Sequence, residues 1–409
     1  MKNAILLVTH VALRNRGGVP HIDDQTFHGI ERWLEHFDTV TYAGLDQSGD
    51  TGESTVAWRS LAPLINTGRL NVLALPVGYR ALDHVRHYGS VRSTLGDLIA
   101  QHQYLCFSIG ALFGDWGAIA GLEAKKQGRP FAVWFDRVEH RVQLATLSSS
   151  SIKRQAKTLA LLPAMKLYHE QLIRKATVGI FQGKDCFDYY KAHAANPQLV
   201  YDTHTKTSDL ISDDDLERKT ARILSGAPVR ICYAGRAAPM KGPEDWIAAL
   251  IALHRSGVAF EATWLGDGPS LPEMRNKVAQ AGLSDVVHLR GHVSDRDQLL
   301  DQLRESDVFL FCHKTPESPR CLIEALVSGT PIVGYKSAYP EGLVEGFGGG
   351  SLTPVGDVPA LVREIRQIDK ERQTLKTLIT QAAQSGRRFD EETVYRARAE
   401  LIRDSLSRA

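Results

Sequence analysis

Long apolar runs are missing from this 409-residue sequence. No stretch reaches the roughly 18 uninterrupted apolar residues that a membrane-spanning helix needs. The first residues, Met1–His10, contain only a short apolar segment, which predicts a buried first strand rather than a secretory signal. We therefore expect a cytoplasmic protein that is soluble or peripheral on the inner face of the cell membrane.

Cysteine and net charge are also scarce. Five cysteines are scattered along the chain without the paired spacing of metal ligands, which favours free thiols in a reducing compartment. The 49 lysines and arginines nearly balance the 47 aspartates and glutamates, so the formal net charge is +2. This balance gives no indication of a nucleic-acid-binding protein.

The sequence predicts neither a dinucleotide-binding motif nor a metal site. No Gly-x-Gly-x-x-Gly follows the first predicted strand, which argues against a dinucleotide-dependent oxidoreductase. Two Asp-x-Asp patterns, Asp213–Asp215 and Asp295–Asp297, look like metal ligands, but each follows a serine. We predict instead that Ser212 and Ser294 cap helices whose positive first turns hold the acids.

The apolar content of 43% is sufficient for two domains with full cores. Short apolar strands alternate with helix-length amphipathic segments such as Gln25–His36, which predicts an α/β fold with parallel sheets covered on both faces. The second sheet is predicted to begin at Val229. The strands predicted in the first half are Ala4–Val8, Thr39–Ala43, Leu70–Leu75, Tyr104–Ile109, Phe131–Phe135 and Val178–Phe181.

A polar, acidic segment between residues 208 and 227 separates the two apolar halves. We predict a first domain over residues 1–210, a linker over 211–228 and a second domain over 229–385. A C-terminal helix over 386–409 is expected to pack back on the first domain.

A candidate anion site follows the first strand of the second half. The apolar run Val229–Gly235 is followed by Arg236 and by Lys241-Gly242. A strand that opens into a helix presents unpaired backbone N–H groups and a positive helix end to an anion. Arginine adds a planar fork and lysine a point charge, which together suit a diphosphate. The alternative is a solvated loop with two ordinary surface cations.

Two further elements follow. The run Trp264–Pro269 is apolar and ends in a tight glycine turn. The segment Thr315–Gly334 predicts a helix, capped by Ser318 or Thr315, in which Glu324 lies among small and apolar neighbours. An unpaired carboxylate there would be costly, so Glu324 needs donors such as two ribose hydroxyls. A nearby arginine is the alternative partner.

In this order the three elements resemble the nucleotide-sugar half of the family 4 retaining glycosyltransferases of the GT-B fold. The shared pattern is strand-Gly-Arg-Lys-Gly, then Gly-Asp-Gly-Pro, then two glutamates leading into Ala-Leu-x-x-Gly-Thr-Pro-Ile-Val. The resemblance implies two Rossmann-like domains, each with a doubly wound parallel sheet, facing each other across a cleft. It also implies a nucleotide-sugar substrate without a catalytic metal or other cofactor.

The resemblance assigns roles to particular residues of the second half. Arg236 and Lys241 would hold the donor diphosphate and stabilise its charge during catalysis. Gly266 would approach the donor, and the loop at Arg290 would receive the nucleotide base.

Two glutamates receive roles in the same way. Glu324 would bind the ribose hydroxyls, and Glu317 would contact the transferred sugar as a catalytic residue. The family usually places seven residues between its two glutamates, whereas six lie between Glu317 and Glu324.

The first half contains two more candidates. Gly17-Gly18, after the first strand, would by resemblance approach the donor phosphates, which requires residues without side chains. The alternative is a flexible loop. After the strand Phe131–Phe135 the family commonly places a histidine that contacts the donor sugar. Here Asp136 holds that position and His140 follows four residues later, so either is a candidate.

The region 141–184 is basic and amphipathic. It contains eight lysines and arginines, a single acid and several leucines. Such a surface can bind anionic lipid headgroups at a membrane. The alternative is an ordinary surface helix with solvated cations.

The sequence therefore predicts a retaining, metal-independent glycosyltransferase of cell-surface glycan or exopolysaccharide biosynthesis. It would transfer a sugar from a nucleoside-diphosphate sugar, UDP in preference to GDP, to a hydroxyl of a saccharide or lipid-linked saccharide. The alternative function is a non-catalytic sugar-nucleotide-binding or scaffold subunit of a glycan assembly complex.

Overall fold

The computed structural model describes residues 3–49, 57–145, 147, 152–315 and 318–407. The chain divides into two compact units, Met1–Tyr201 with Tyr395–Ala409, and Asp202–Val394. The first boundary thus lies at residue 201 rather than 210. The predicted linker at 211–228 is also corrected, because most of it is a helix, Asp213–Leu224, that buries Ile223 within the second unit.

The first unit contains a sheet of nine strands in the described ranges. Seven of them are parallel and lie in the order β5-β3-β1-β6-β7-β8-β9, so the strand order reverses direction between β1 and β6. The strands are β1 Ala4–Arg16, β2 Val19–Asp23, β3 Thr39–Asp46, β4 Trp58–Ser60, β5 Leu70–Leu75, β6 Tyr104–Ser108, β7 Ala132–Phe135, β8 Val178–Gln182 and β9 Pro197–Val200.

Strand β1 is longer than predicted. It continues to Arg16 and forms an antiparallel hairpin with β2, in which Arg16 pairs with Val19. Its first half runs through the core: Ile5 and Leu7 are buried on one face of the sheet and Leu6 and Val8 on the other. Successive side chains of a strand point to opposite faces, so burial of both sets requires helices on both sides.

The helices of the first unit provide that cover. They are α1 Asp24–His36, α2 Ala62–Ile65, α3 Ala81–Gln101, α4 Trp116–Lys126, α5 Glu139–Ala145, α6 Ile152–Lys175 and α7 Gly183–Tyr190. In the described ranges of the chain, none of the helices is long and apolar enough to cross a membrane.

The second unit contains a parallel sheet of six described strands in the order β12-β11-β10-β13-β14-β15. Its strands are β10 Val229–Ala234, β11 Phe260–Leu265, β12 Val287–Gly291, β13 Val308–Phe311, β14 Ile332–Tyr335 and β15 Gly350–Thr353. The helices are α8 Asp213–Leu224, α9 Pro243–Arg255, α10 Leu271–Gln280, α11 Arg296–Glu305, α12 Arg320–Val327, α13 Ala338–Val344, α14 Val358–Lys370 and α15 Arg372–Gly386.

Both Asp-x-Asp patterns lie at helix starts. Ser212 caps α8 as predicted, since its hydroxyl accepts a hydrogen bond from the Asp215 backbone N–H at 3.1 Å. The cap of α11 is Asp295 rather than Ser294, and its carboxylate accepts from the backbone N–H of Asp297 at 2.9 Å. An aspartate competes well with serine for this role because its charge also interacts with the helix dipole.

The last helix, α16 Glu391–Ser407, begins in the second unit and ends in the first. Within the first unit Ala399 and Ile402 are fully buried in the core. Tyr395 packs edge-on against Trp33 of α1, with ring centroids 5.5 Å apart. The end of the chain therefore covers one face of the first sheet.

Both units have the doubly wound strand order 3-2-1-4-5-6 when the parallel strands are counted from the first, with one more strand at the end of the first sheet. In such sheets a crevice opens at the carboxyl ends of the strands where the order reverses. The expected positions of ligand sites are therefore beside β1 and β6 in the first unit, and beside β10 and β13 in the second.

Candidate functional site

The second unit has a cavity of about 800 Å³ at the carboxyl ends of β10 and β11. It lies at the point where the strand order reverses, as the topology predicts. Of the predicted donor residues, Arg236, Lys241, Gly266 and Glu324 all line it. Its other lining residues include Asp267, His292, Val293, Pro319, Arg320 and Cys321.

Glycine is required at the turn after β11. A Cβ atom on Gly266 would lie 2.0 Å from the carbonyl oxygen of Gly235, and one on Gly268 would lie 2.4 Å from that of Ala237. The backbone N–H of Gly266 also donates to the carbonyl of Gly291 at 2.7 Å. The turns after β10, β11 and β12 therefore pack backbone to backbone, which leaves main-chain groups at the cavity wall.

Lys241 ends a short 3-10 turn that leads into α9. The next residue, Gly242, has a φ of +64°, and a Cβ there would lie 2.1 Å from the carbonyl oxygen of Cys312. Only glycine fits this left-handed, closely packed position. The turn thus fixes where the lysine leaves the backbone and where α9 begins.

Glu324 is paired with an arginine. Its Oε1 accepts from Nη1 of Arg296 at 2.8 Å, and Nη2 of the same arginine donates to Oδ2 of Asp209 at 3.0 Å. Burial lowers the pKa of Arg296, but the two carboxylates outweigh it and raise the pKa above its ordinary value. The arginine partner considered from the sequence is therefore present, while Glu324 also lines the cavity.

Helix α12 carries Glu324 into the cavity wall. Its apolar residues Leu322, Ala325 and Leu326 are buried, as predicted. Neither predicted cap is used: the helix begins after Pro319 without a side-chain cap, so Ser318 and Thr315 do not fill that role. Glu317, the second predicted glutamate, lies outside the described residues.

The charges of this cavity favour an anion. Three cations, Arg236, Lys241 and Arg320, line it together with two carboxylates, Asp267 and Glu324. The sequence did not single out Arg320, although its place at the start of a predicted helix was a usable signal.

Arg290 is exposed on β12 and is not among the lining residues of the cavity, where the neighbouring His292 and Val293 stand instead. Burial and the nearby Lys241 lower the pKa of His313 to about 3. Its Nε2 lies 2.8 Å from the hydroxyl of Tyr233, so the imidazole is neutral and held in place.

The first unit has a second cavity, of about 530 Å³, at the carboxyl ends of β6 and β7 and beside the part of β1 that follows its pairing with β6. It too lies where the strand order reverses. Asp136 lines it and accepts a hydrogen bond from Nε1 of Trp134 at 2.6 Å. The other lining residues are His10, Tyr79, Ile109, Gly110, Ala111, Arg137, Glu139 and Gln143.

His140 lies elsewhere. It is not a lining residue of this cavity, and its Nε2 is 3.0 Å from the hydroxyl of Tyr189. Burial lowers its pKa below the ordinary value. Of the two predicted candidates, Asp136 is therefore the one at the cavity.

Gly17 and Gly18 form the two-residue turn between β1 and β2. Their φ values of +60° and +84° are those of a tight hairpin turn, which explains the glycines without a ligand. A Cβ atom at either position would meet no described atom within 4 Å. The predicted role beside the donor phosphates stays a prediction.

Carboxylate, histidine and cysteine side chains do not gather into a metal site in the part of the chain that the structure describes, where no group of three or more could hold an ion.

The second unit matches a known sequence family. The family model described as glycosyl transferases group 1 covers residues 216–385. An amylovoran biosynthesis glycosyltransferase of Erwinia amylovora is 29% identical over 183 residues, or 43% of this chain and 44% of that protein. A 2-deoxystreptamine N-acetyl-D-glucosaminyltransferase of Streptomyces fradiae is 31% identical over 179 residues, or 43% of this chain and 42% of that protein. The alignments thus span less than half of each relative.

The fold is shared over both units. A solved structure of Anabaena HepE in complex with UDP superimposes with a TM-score of 0.62, at 17% identity, over 99% of this chain and all of that one. The predicted GT-B fold and the resemblance to group 1 glycosyltransferases are confirmed. Assignment to family 4 in particular stays a prediction.

Proposed function

Because residues 216–385 match the group 1 glycosyl transferases and the chain has the GT-B fold, we propose that this protein is a retaining glycosyltransferase. It transfers a sugar from a nucleoside-diphosphate sugar to a hydroxyl of a saccharide or lipid-linked saccharide. The observation that carries the proposal is the second-unit cavity, where three cations and a glutamate line one crevice at the ligand-binding edge of the sheet.

In this proposal the cavity holds the donor. Arg236 and Lys241 contact the diphosphate, because a planar guanidinium and a lysine point charge both suit phosphate oxygens. The free lone pairs of Glu324 accept the ribose hydroxyls, while Arg296 holds the carboxylate from the other side. The base is uridine in preference to guanosine, which is supported by the UDP bound in the HepE structure.

Charge stabilisation is the main catalytic effect that we assign to this chain. When the glycosidic bond breaks, negative charge grows on the leaving diphosphate, and fixed cations and N–H groups lower the barrier by stabilising it. The departing phosphate oxygen takes the proton of the acceptor hydroxyl on the same face of the sugar, which retains the anomeric configuration. The reaction needs no metal and no further cofactor.

The acceptor binds in the first-unit cavity. Tyr79 supplies an aromatic surface there, while Asp136, Glu139 and Gln143 supply oxygen and amide groups suited to hydroxyls. The name of the Erwinia relative supports an acceptor of polysaccharide biosynthesis.

A lipid-linked acceptor would bring the protein to a membrane. On α6 the apolar side chains of Leu159 and Leu167 are 51% and 57% exposed. The exposed cation Lys166, seven residues after Leu159, lies on the same side of the helix as that leucine. An apolar cavity of about 370 Å³ between α4 and α6 has Leu167 and Lys175 among its lining residues. We infer that this face of a cytoplasmic protein contacts anionic lipid, and not nucleic acid.

The membrane contact has its own test. The protein should sediment with phosphatidylglycerol vesicles at low salt and much less with phosphatidylcholine vesicles. Leu167→Glu should abolish the binding, whereas Leu224→Glu, at an exposed leucine of the other unit, should not. Equal binding of both variants would contradict the proposed surface.

A second candidate function is a non-catalytic sugar-nucleotide-binding or scaffold subunit of a glycan assembly complex. The pairing of Glu324 with Arg296 favours it, because the carboxylate already has a partner. The six-residue spacing of the two glutamates favours it as well.

Donor binding is tested first, by thermal shift with uridine, guanosine and adenosine diphosphates and their sugar conjugates, with and without magnesium. We expect a stabilisation of several degrees by the uridine compounds that does not depend on magnesium. Lys241→Ala and Glu324→Gln should lose it, and the exposed Lys370→Ala on α14 should keep it. No shift with any nucleotide would refute the donor site.

Transfer is tested next, with the nucleotide that binds. Release of UDP from UDP-sugar in the presence of saccharides, and the anomeric configuration of the product by NMR, separate the two candidates. A subunit that only binds the donor would release no UDP.

A further inference from the structure

His10 occupies an unusual place in the first-unit cavity. It lies on β1 and lines the cavity, with 24% of its side chain exposed. Its Nε2 atom is buried and has no hydrogen-bond partner, which is rare for a buried nitrogen. The nearest carboxylate oxygen, Oδ2 of Asp115, is 3.6 Å away, beyond normal hydrogen-bond length.

Asp115 is fixed by the backbone around it. Its side chain is 1% exposed, and Oδ2 accepts from the backbone N–H groups of Gly110 and Ala111, each at 2.9 Å. Oδ1 caps α4 by accepting from the N–H of Ala118 at 2.8 Å. The carboxylate therefore cannot move toward the histidine, and only the imidazole can close the gap.

The position of Asp115 favours one tautomer of the ring. A proton is favoured on the nitrogen that faces a carboxylate, so we assign it to Nε2, which leaves Nδ1 as a hydrogen-bond acceptor. A carboxylate behind a histidine orients the ring and strengthens the lone pair on the opposite nitrogen. Hydrogen bonds of this kind are often long without substrate and shorten when it binds.

We propose that His10, oriented by Asp115, accepts a hydrogen bond from a hydroxyl of the saccharide acceptor and so selects which hydroxyl is presented for transfer. The inference rests on the proposed function and adds the residue that positions the acceptor.

The polar neighbours of His10 in the cavity already have partners. Asp136 accepts from Nε1 of Trp134, and Glu139 accepts from Arg137 at 2.7 Å and from Gln143 at 3.2 Å. Both carboxylates are therefore already held by hydrogen bonds within the protein. Among the described lining residues, His10 combines a buried unpaired nitrogen with a fixed carboxylate behind it.

The test uses the full chain and a panel of methyl glycosides as probes, namely those of glucose, galactose, mannose and N-acetylglucosamine. Their binding is titrated by ligand-observed NMR in the presence of saturating UDP. The variants are His10→Ala, which removes the acceptor atom, and His10→Asn, which keeps an oxygen near the position of Nδ1. His28→Ala, at a histidine of α1 that does not line the cavity, is the matched control.

We expect His10→Ala to bind the preferred glycoside about tenfold more weakly than the wild type. The glycoside affinities of His10→Asn and His28→Ala should stay within about threefold of the wild-type affinity. In transfer assays the loss should appear in KM for the glycoside rather than in kcat. The UDP thermal shift should be the same in all four proteins, because UDP binds the other unit.

Three outcomes overturn the inference. These are equal glycoside affinity in wild type and His10→Ala, no recovery in His10→Asn, and no glycoside binding by the wild type. If the UDP shift is present in that last case, only the inference fails. If the UDP shift is missing too, the proposed function fails with it.

Discussion

Lys219 on α8 is a lysine buried in the second unit, and its removal should stabilise the protein. Its Nζ donates to Oγ1 of Thr330 at 2.8 Å and lies 3.4 Å from the carbonyl oxygen of Ser328, at the end of α12. Burial lowers the pKa of Lys219 from 10.5 to about 7, although Asp307 opposes the shift. At pH 7 the folded protein therefore holds this amine without its charge in about half of the molecules, and above about pH 8 in nearly all of them.

The magnitude follows from the two pKa values. Between pH 10.5 and 7 the unfolded chain binds a proton that the folded chain releases, so the free energy of unfolding falls as the pH falls through this window. At about 1.36 kcal/mol per pKa unit, the total at pH 7 is about 5 kcal/mol. Loss of the two hydrogen bonds offsets about 1 kcal/mol each, which leaves a gain of about 3 kcal/mol for Lys219→Met at pH 7.

The difference between Lys219→Met and wild type should change with pH. It should decrease by about 4 kcal/mol between pH 7 and pH 10, because the free energy needed to remove the proton of Lys219 on folding falls by about 1.36 kcal/mol for each pH unit as the pH rises toward 10.5. Comparing the two proteins cancels the titration of cysteines and tyrosines, which both contain. Since a two-unit chain need not unfold in one step, the assay is urea unfolding followed by pulsed hydrogen exchange of β10 and β11 peptides.

Lys370→Met, at an exposed lysine of the same unit, is the control and should change stability little at any pH. The reasoning is refuted if Lys219→Met is less stable than wild type at pH 7, or if their difference does not vary with pH. Either result would mean that the buried amine keeps its proton.

Three further predictions concern other parts of the molecule. Gly242→Ala should lower the melting temperature of the second unit and remove the UDP shift, because its Cβ would overlap the carbonyl of Cys312; an unchanged melting curve would contradict this. Ile402→Ala should destabilise the first unit by about 2–4 kcal/mol in urea unfolding while leaving UDP affinity unchanged, so weaker UDP binding would argue against independent units. In calorimetry, Arg296→Ala should weaken UDP binding about tenfold. Arg296→Lys should weaken it less, since a lysine cation can still hold Glu324. Equal UDP affinities in wild type and both variants would exclude the positioning role of Arg296.

The fold was largely predictable because its strands are short, continuous apolar runs. A strand buried on both faces, such as β1 between Ile5 and Val8, must be apolar at every position, and that pattern is visible in one sequence. The extension of β1 to Arg16 was not visible, because a hairpin arm at a sheet edge alternates polar and apolar residues with no fixed length. The linker was misplaced because α8 is acidic at its start yet buries Ile223.

The donor site was predictable where its residues belong to local motifs. The turns that follow β10 and β11 carry Arg236, Lys241 and Gly266. Because neighbouring parallel strands end at the same edge of the sheet, residues that follow those strands lie near one another in space. The partner of Glu324 was not predictable in the same way. Arg296 starts a different helix 28 residues earlier, and nothing in its local sequence marks it as the arginine that the carboxylate would need.

The same limit explains why His10 was missed. A histidine in the first strand and an aspartate that caps α4 are each ordinary features, and Asp115 comes 105 positions after His10 along the chain. They meet because β1 and β6 are neighbours at the point where the strand order reverses. His10 lies on β1, and the chain that leaves β6 brings Asp115 to the same edge of the sheet. Predicted strand order, rather than residue spacing, is therefore the signal that would have paired His10 with Asp115.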